Sequence, residues 1–247
     1  DFHASQCGFC TPGFVMSLFA AWCNRDGLEA EAIDDTLAGN LCRCTGYRPI
    51  VDAGLSLVRS DLPASELARR QTEAELMAKI AHSGTVRLVG DGAENNVAFV
   101  TPTTADEFTD FYFDNPNATI VSGATDVGLW VTKQQRHLPV MLWTGRVDCF
   151  KKATETDGHI RIGPAVTHQQ VLSGLAARWP DFGETMRRFG SLQVRSSGTV
   201  CGNIANGSPI GDLPPMLIAL SAEVELTAGP KMRRLALEAF FLDYGVQ

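Results

Sequence analysis

The chain predicts an α+β fold of two domains, a small all-helical bundle followed by an α+β domain. Three observations lead there. Apolar residues recur at three- and four-residue spacing through the first sixty positions. The stretch from Leu62 to about Asn96 is charged and mixed in composition. Beyond it, strand-like and helix-like segments alternate. The expected organisation is a helical domain over 1–61, a linker over 62–96 and an α+β domain over 97–247.

In the first domain Thr11 is a suitable N-cap, and Pro12 suits the first helical position, where its missing N–H is no loss. Phe14, Val15, Leu18, Phe19 and Trp22 then form one apolar stripe, which Gly27 stops. A second helix over about Ala30 to Ala38 ends at Gly39–Asn40, residues that tolerate a left-handed cap. Pro49 opens a third, through Val51, Leu55 and Val58. The linker contains some helix in "SELARRQTEAELMAKI" and leaves through the turn-rich "GDGAENN". In the second domain "ATIVSG", "PVMLW" and "GHIRIGPAV" read as strands, and "THQQVLSGLAARW" and "FGETMRRFG" as helices. The chain opens on Asp1 without Met and closes on the apolar run "FFLDYGVQ", so a piece of a longer protein is expected, its second domain C-terminally incomplete.

With 28 acidic and 21 basic side chains the net charge is −7, which disfavours nucleic acid as a partner. No apolar run approaches the length of a membrane helix. The longest, "FVMSLFAAWC", also lacks the basic flank of a signal peptide. Seven cysteines without a secretory signal point to a reducing, cytoplasmic compartment, where clustered thiols act as metal ligands more often than as disulfides.

Four of the seven stand at expected helix ends: Cys7 and Cys10 in "SQCGFCTPG", Cys42 and Cys44 in "GNLCRCTGYRP". A tight CxxC turn lets two sulfurs converge on metal, and four such thiolates hold either a structural zinc or an iron–sulfur cluster. The CxC half is less usual for zinc ribbons, yet spacing alone leaves both open. Cys23, Cys149 and Cys201, in apolar or small-residue surroundings, read as simple buried thiols.

"SQCGFCTPGFVMSLFAAW" together with "LAGNLCRCTGYRPIVDA" resembles the helical [2Fe–2S] domain of the molybdenum hydroxylases, the xanthine dehydrogenase and aldehyde oxidase family. The resemblance implies that Cys7, Cys10, Cys42 and Cys44 bind iron, two per iron atom. It also places Gln6 against the pterin of a molybdenum cofactor held by a partner chain, with Cys44 the ligand nearest it. Glycines such as Gly8 and Gly46 would let the chain come close to the cluster.

Two further segments carry small and hydroxylated residues. One is "ATIVSGATDVGLW"; the other is "SLQVRSSGTVCGNIANGSPIGDLPP". Neither matches a Rossmann or Walker pattern. Small residues let successive backbone N–H groups approach a pyrophosphate, and hydroxyls add neutral donors; a long irregular loop is the plainer alternative. Both are similar to the FAD-binding loops of the same family. The resemblance implies cofactor contacts from Val121, Ser122, Gly123, Ala124, Thr125, Asp126 and Val127 in the first loop. In the second it implies Thr199, Val200, Cys201, Gly202 and Asn203, with Asp212 on the ribose side and Phe189 beside the flavin. Cys201 replaces the family's usual glycine. The five histidines are scattered without a triad-like pattern, "MRRFG" and "KMRRL" read as solvated faces, and Arg195 is a secondary candidate for a phosphate contact.

By this resemblance the chain is an electron-transfer subunit. Electrons would pass from hydroxylation of hypoxanthine or xanthine, at molybdenum–molybdopterin in a large partner subunit, through [2Fe–2S] to FAD and NAD within a larger hetero-oligomer. The chain alone would then be inactive on purines. The same role in an aldehyde oxidase is the alternative within the family, and a zinc-stapled binding module without redox activity is the alternative outside it.

Overall fold

A computed structural model describes residues 2–58, 60–81, 84–90 and 97–243. His82, the "GDGAENN" turn after Gly90 and the last residues of "FFLDYGVQ" lie outside the described residues. The chain forms two compact units, residues 1–82 with 190–193, and residues 83–189 with 194–247.

The first unit contains helices α1 (Thr11–Asn24), α2 (Ile33–Leu37), α3 (Arg48–Ser56) and α4 (Ala64–Ile80). Helix α1 begins one position earlier than its sequence indicates, with Cys10 rather than Thr11 as N-cap. The Cys10 carbonyl already accepts from Phe14 N at 3.3 Å, and Thr11 N donates to Gly8 O at 3.3 Å. At the other end Arg25 takes the left-handed conformation, and Gly27 follows at positive φ. Phe14, Ala21, Leu28, Ile33, Leu37, Cys42 and Ile50 make the core. A Cβ at Gly54 of α3 would come within 2.8 Å of Ile33 and Leu18 side chains, so the absent side chain sets the closeness of this packing. Helix α4 is the helical part of the expected linker, and none of its residues is buried. Arg69 bridges Glu66 and Glu73 along its surface, pairs that solvent screens.

The second unit holds a four-stranded sheet of β1 (Val86–Gly90), β2 (Val97–Thr101), β3 (Thr119–Val121) and β4 (Val140–Trp143) in the order β1-β2-β4-β3. Strand β1 falls inside the span read as linker, yet it pairs antiparallel with β2 from Val86↔Thr101 onward. Strands β2, β4 and β3 are parallel, with Val100 opposite Leu142 and Val121 opposite Trp143. Helix α5 (Ala105–Asp114) links β2 to β3, and α6 (Val127–Thr132) precedes β4. Thr104 and Glu107 form a capping box at the start of α5, and backbone and hydroxyl donors there, Thr103 N–H first, hold the Glu107 carboxyl at about 2. Val100, Phe108, Ala118, Leu142 and Val147 fill the space beneath the sheet.

The remaining elements are the hairpin of β5 (Ala153–Thr156) and β6 (His159–Ile162), helices α7 (His168–Arg178), α8 (Pro180–Arg188), α9 (Leu192–Ser197), α10 (Val200–Asn206) and α11 (Leu213–Ala219), and the hairpin of β7 (Glu223–Ala228) and β8 (Lys231–Ala236). Asp157 and Gly158, both at positive φ, make the tight turn of the first hairpin. Val166, Val171, Leu175, Phe182, Met186, Val200, Leu213, Leu217 and Leu237 form its core. The long glycine-rich segment is therefore not an irregular loop. It contributes α9, α10 and α11, because Thr199 caps α10 through its side chain and Gly207 closes it in the left-handed conformation. Among the described residues no helix is long and apolar enough to cross a membrane.

Candidate functional site

The four cysteines of the first unit come together from two turns. Cys7 and Cys10 lie just before α1, and Cys42 and Cys44 lie between α2 and α3. Gly8 and Gly46 stand at φ +82° and +69°, with nothing near the position of a Cβ at either. Each glycine lets the chain turn through the left-handed region. Tyr47, also at positive φ, accepts from Cys42 N through its hydroxyl at 3.1 Å and thereby fixes the second turn.

The thiols stand as two pairs. Cys44 donates to Cys7 across 3.5 Å, and Cys10 donates to Cys42. Within each pair one sulfur is lowered from the ordinary thiol value and its partner raised. The Phe9 N–H, followed by the Cys44 thiol, lowers Cys7. The Thr45 hydroxyl 3.2 Å away, helped by the N–H groups of Thr45 and Cys44, brings Cys42 to about 7. Their partners Cys44 and Cys10 are raised, each first by the sulfur it donates to. Thiolate, the form that binds metal, is thus favoured by hydrogen bonds already built into the turns. Among the described residues no three metal-binding side chains are arranged around one ion. Two thiol pairs suit a two-iron cluster, in which each iron takes two sulfurs from the protein. Cys42 is buried and Cys10 half-buried, whereas Cys7, Cys44 and the adjacent Gln6 are exposed.

In the second unit the two expected cofactor segments meet. A Cβ on Gly123 would lie 2.1 Å from Ser197 O and 2.8 Å from Gly198 Cα, so the first loop rests directly on the second. Thr167 bridges Thr199, Val200 N donates to Val166 O at 3.1 Å, and His168 N donates to Gly198 O at 3.0 Å, which fastens α7 beside α10. Between these pieces and the C-terminal end of β4 is a cleft of about 230 Å³ lined by Ser122, Thr144, Lys151, Thr167, Gln170 and Thr199, among others. Clefts at the carboxyl ends of parallel strands are where open α/β sheets bind ligands.

The sequence-derived residues divide around this cleft. Ser122 and Thr199 line it. Val121 is buried at the end of β3, and Ala124 takes φ +57° in the loop that leads through Thr125 and Asp126 to Val127 and α6. Val200 is a core residue. The Cys201 thiol points to the carbonyls of Ile162 and Gly163, and burial pushes it up to about 11, so only its backbone is free to meet a ligand. Gly202 N donates to the Thr199 hydroxyl, and a Cβ there would lie 2.6 Å from that oxygen. Asn203 has a buried side-chain oxygen without a partner, the kind of group a ligand satisfies. Phe189 and Asp212 line a separate depression of about 400 Å³ with Glu184, Thr185 and Arg188. Sequence reasoning missed Thr144, Lys151, Thr167 and Gln170; only the Thr167-to-Gln170 capping box left a local signal.

Arg195 is buried and donates to Arg187 O at 2.9 Å and Phe189 O at 3.0 Å, so it closes the end of α8 rather than presenting charge to a phosphate. His168 is 2% exposed, its ring 4.8 Å from that of Phe189 and its Nδ1 unpartnered. Burial, then the Arg195 charge, lowers it to about 4. Between that value and about 6.5 the unfolded chain binds a proton that the folded chain refuses, so stability falls as pH drops through this window. His168→Gln is expected to flatten the decline in melting temperature between those two pH values; an unchanged slope would assign the decline to other groups.

Known proteins match both units. The family model described as "[2Fe-2S] binding domain" matches residues 1–55, and "FAD binding domain in molybdopterin dehydrogenase" matches residues 95–247. Xanthine dehydrogenase 2 of Arabidopsis thaliana is 26% identical over 98% of this chain and 22% of its own length. Aldehyde oxidase 2 of Rattus norvegicus is 26% identical over 97% of this chain and 21% of its own. The chain thus spans about a fifth of the length of these curated relatives. Among solved structures, the Cu,Mo-CO dehydrogenase in its cyanide-inactivated form shares the fold with a TM-score of 0.56 at 21% identity, covering 60% of this chain and 52% of that one. Quinoline 2-oxidoreductase from Pseudomonas putida 86 does so with a TM-score of 0.54 at 19% identity, covering 59% of this chain and 54% of that one. Two thiol pairs in a helical unit, two glycine-bearing segments in contact beside a parallel sheet and these matches agree, and the chain belongs to the molybdenum hydroxylases, of which it carries the [2Fe–2S]-binding and FAD-binding domains.

Proposed function

We propose that the chain is the electron-transfer part of a xanthine dehydrogenase, taking electrons from purine hydroxylation at molybdenum in a partner subunit and delivering them to NAD. The observation that carries this is the cysteine site. Four thiols stand in two hydrogen-bonded pairs, one pair exposed beside Gln6 and one turned inward. When bound, the cluster supplies one-electron transfer, and FAD joins such steps to a two-electron acceptor.

The chain's own residues bind and orient. Cys7, Cys10, Cys42 and Cys44 hold iron, while the Phe9 N–H and the Thr45 hydroxyl stabilise negative charge on sulfur. Ser122 and Thr199 line the flavin cleft, and Gly123 keeps the two segments in contact. Gln6 and Cys44 lie on the exposed side, where a molybdopterin-binding subunit would dock. The relatives named xanthine dehydrogenase favour a purine substrate, whose pocket would belong to the partner.

The test is turnover by the full-length protein assembled with its molybdopterin partner. Xanthine-dependent NAD reduction is expected, and this chain alone should show none. Oxidation of aldehydes without purine turnover would transfer the reading to an aldehyde oxidase.

A further inference from the structure

Lys151 is the one charged side chain among the described residues that line the cleft between the two cofactor segments. It ends a single 3-10 turn, Asp148–Lys151, and its ammonium pairs with Asp148 at 2.7 Å. The other polar walls are neutral and largely committed. Thr144 donates to Ser122, and Ser122 to Pro164 O, each at 2.9 Å. Thr199 and Thr167 hydroxyls accept the N–H groups of Gly202 and Gln170, and the Gln170 carbonyl oxygen accepts from Thr167 N. These groups orient a ligand but bring no charge to it.

Asp148 is a weak competitor for the ammonium. Its side chain is 86% exposed and that of Lys151 42%, and solvent screens an exposed pair of this kind so that it contributes little. Lys152, the next residue, also acts on the Asp148 carboxylate and remains to balance it. A pyrophosphate held against the hydroxyl-lined wall is the stronger partner, because it carries two negative charges and accepts charge-assisted hydrogen bonds from the ammonium. We propose that Lys151 exchanges Asp148 for the pyrophosphate of FAD when the cleft fills, and is the charged anchor of that cofactor. This rests on the flavin reading of the cleft.

Titration of the full chain with FAD, riboflavin and ADP tests it. Lys151→Met is expected to raise the FAD dissociation constant about tenfold at low salt, equivalent to about 1.4 kcal/mol. The difference should shrink as salt screens the charge. Riboflavin, which lacks phosphate, should bind both proteins alike, and ADP should compete with FAD in the wild type but poorly in the variant. Lys151→Arg should restore affinity, and Asp148→Asn, which frees the ammonium, should tighten FAD. Equal FAD affinity of wild type and Lys151→Met at low salt overturns the inference while leaving the flavin reading intact. Failure of the wild type to bind FAD removes both.

Discussion

Cys42→Ser is expected to abolish the visible absorption of anaerobically purified protein, and Cys23→Ser to leave it unchanged. Cys42 lies in the core of the helical unit, takes three hydrogen bonds from the 44–45 turn and is poised as thiolate at about 7. A serine hydroxyl at that position keeps its proton at neutral pH and is a far poorer iron ligand than the thiolate. Cys23 lies in the last turn of α1, outside both cysteine turns, and its thiol donates to Glu66 at 4.0 Å. Iron and labile sulfide measured in equal amounts in the wild type, and lost together in Cys42→Ser, complete the expected result. Stoichiometric zinc in protein reconstituted with both metals available would reject the cluster.

The second large effect is expected at Gly123. Its Cβ position is filled by the backbone of Ser197 and Gly198, at 2.1 and 2.8 Å, so Gly123→Ala must push the two cofactor segments apart. Overpacking against backbone costs about 1–3 kcal/mol, and it acts on the wall of the cleft itself. The urea midpoint should fall, and FAD affinity should drop about a hundredfold or more, because about 2.7 kcal/mol of displacement is spent where the ligand sits. Gly128→Ala is the control: it lies in α6 with nothing within 4 Å, so alanine should be neutral or slightly stabilising. Wild-type FAD affinity in Gly123→Ala would move the cofactor away from this contact.

What could be read from sequence was local. Cys7, Cys10, Cys42 and Cys44 announce themselves because each pair is set by one short turn. The stripe from Phe14 to Trp22 and the apolar run of β4 likewise carry their own period. Strand β1 was illegible because four of its five residues are exposed, which removes the alternation that marks a half-buried strand; backbone pairing with β2 alone makes it a strand. Helices α9 to α11 were hidden by Gly, Ser and Asn, whose preference for turns is overridden by the Thr199 cap and by burial of Val200, Leu213 and Leu217. The cleft was the least legible feature. Ser122, Thr144, Lys151, Thr167 and Thr199 come from separate stretches, joined by the parallel register of β3 and β4, the Thr144–Ser122 hydrogen bond and the Thr167–Thr199 bridge.

The unequal burial of the thiol pairs makes the cysteine site one-sided. Cys7 and Cys44 open to solvent, while Cys10 is half-covered and Cys42 is sealed into the core. Corrosion of such a site has a direction. With metal bound, oxygen, peroxide or a chelator would reach the outer pair first, and the inner sulfurs would be the last to release it. A protein that covers the outer pair would therefore act as a shield against oxidative loss of metal, and its departure would set the lifetime of the centre in air.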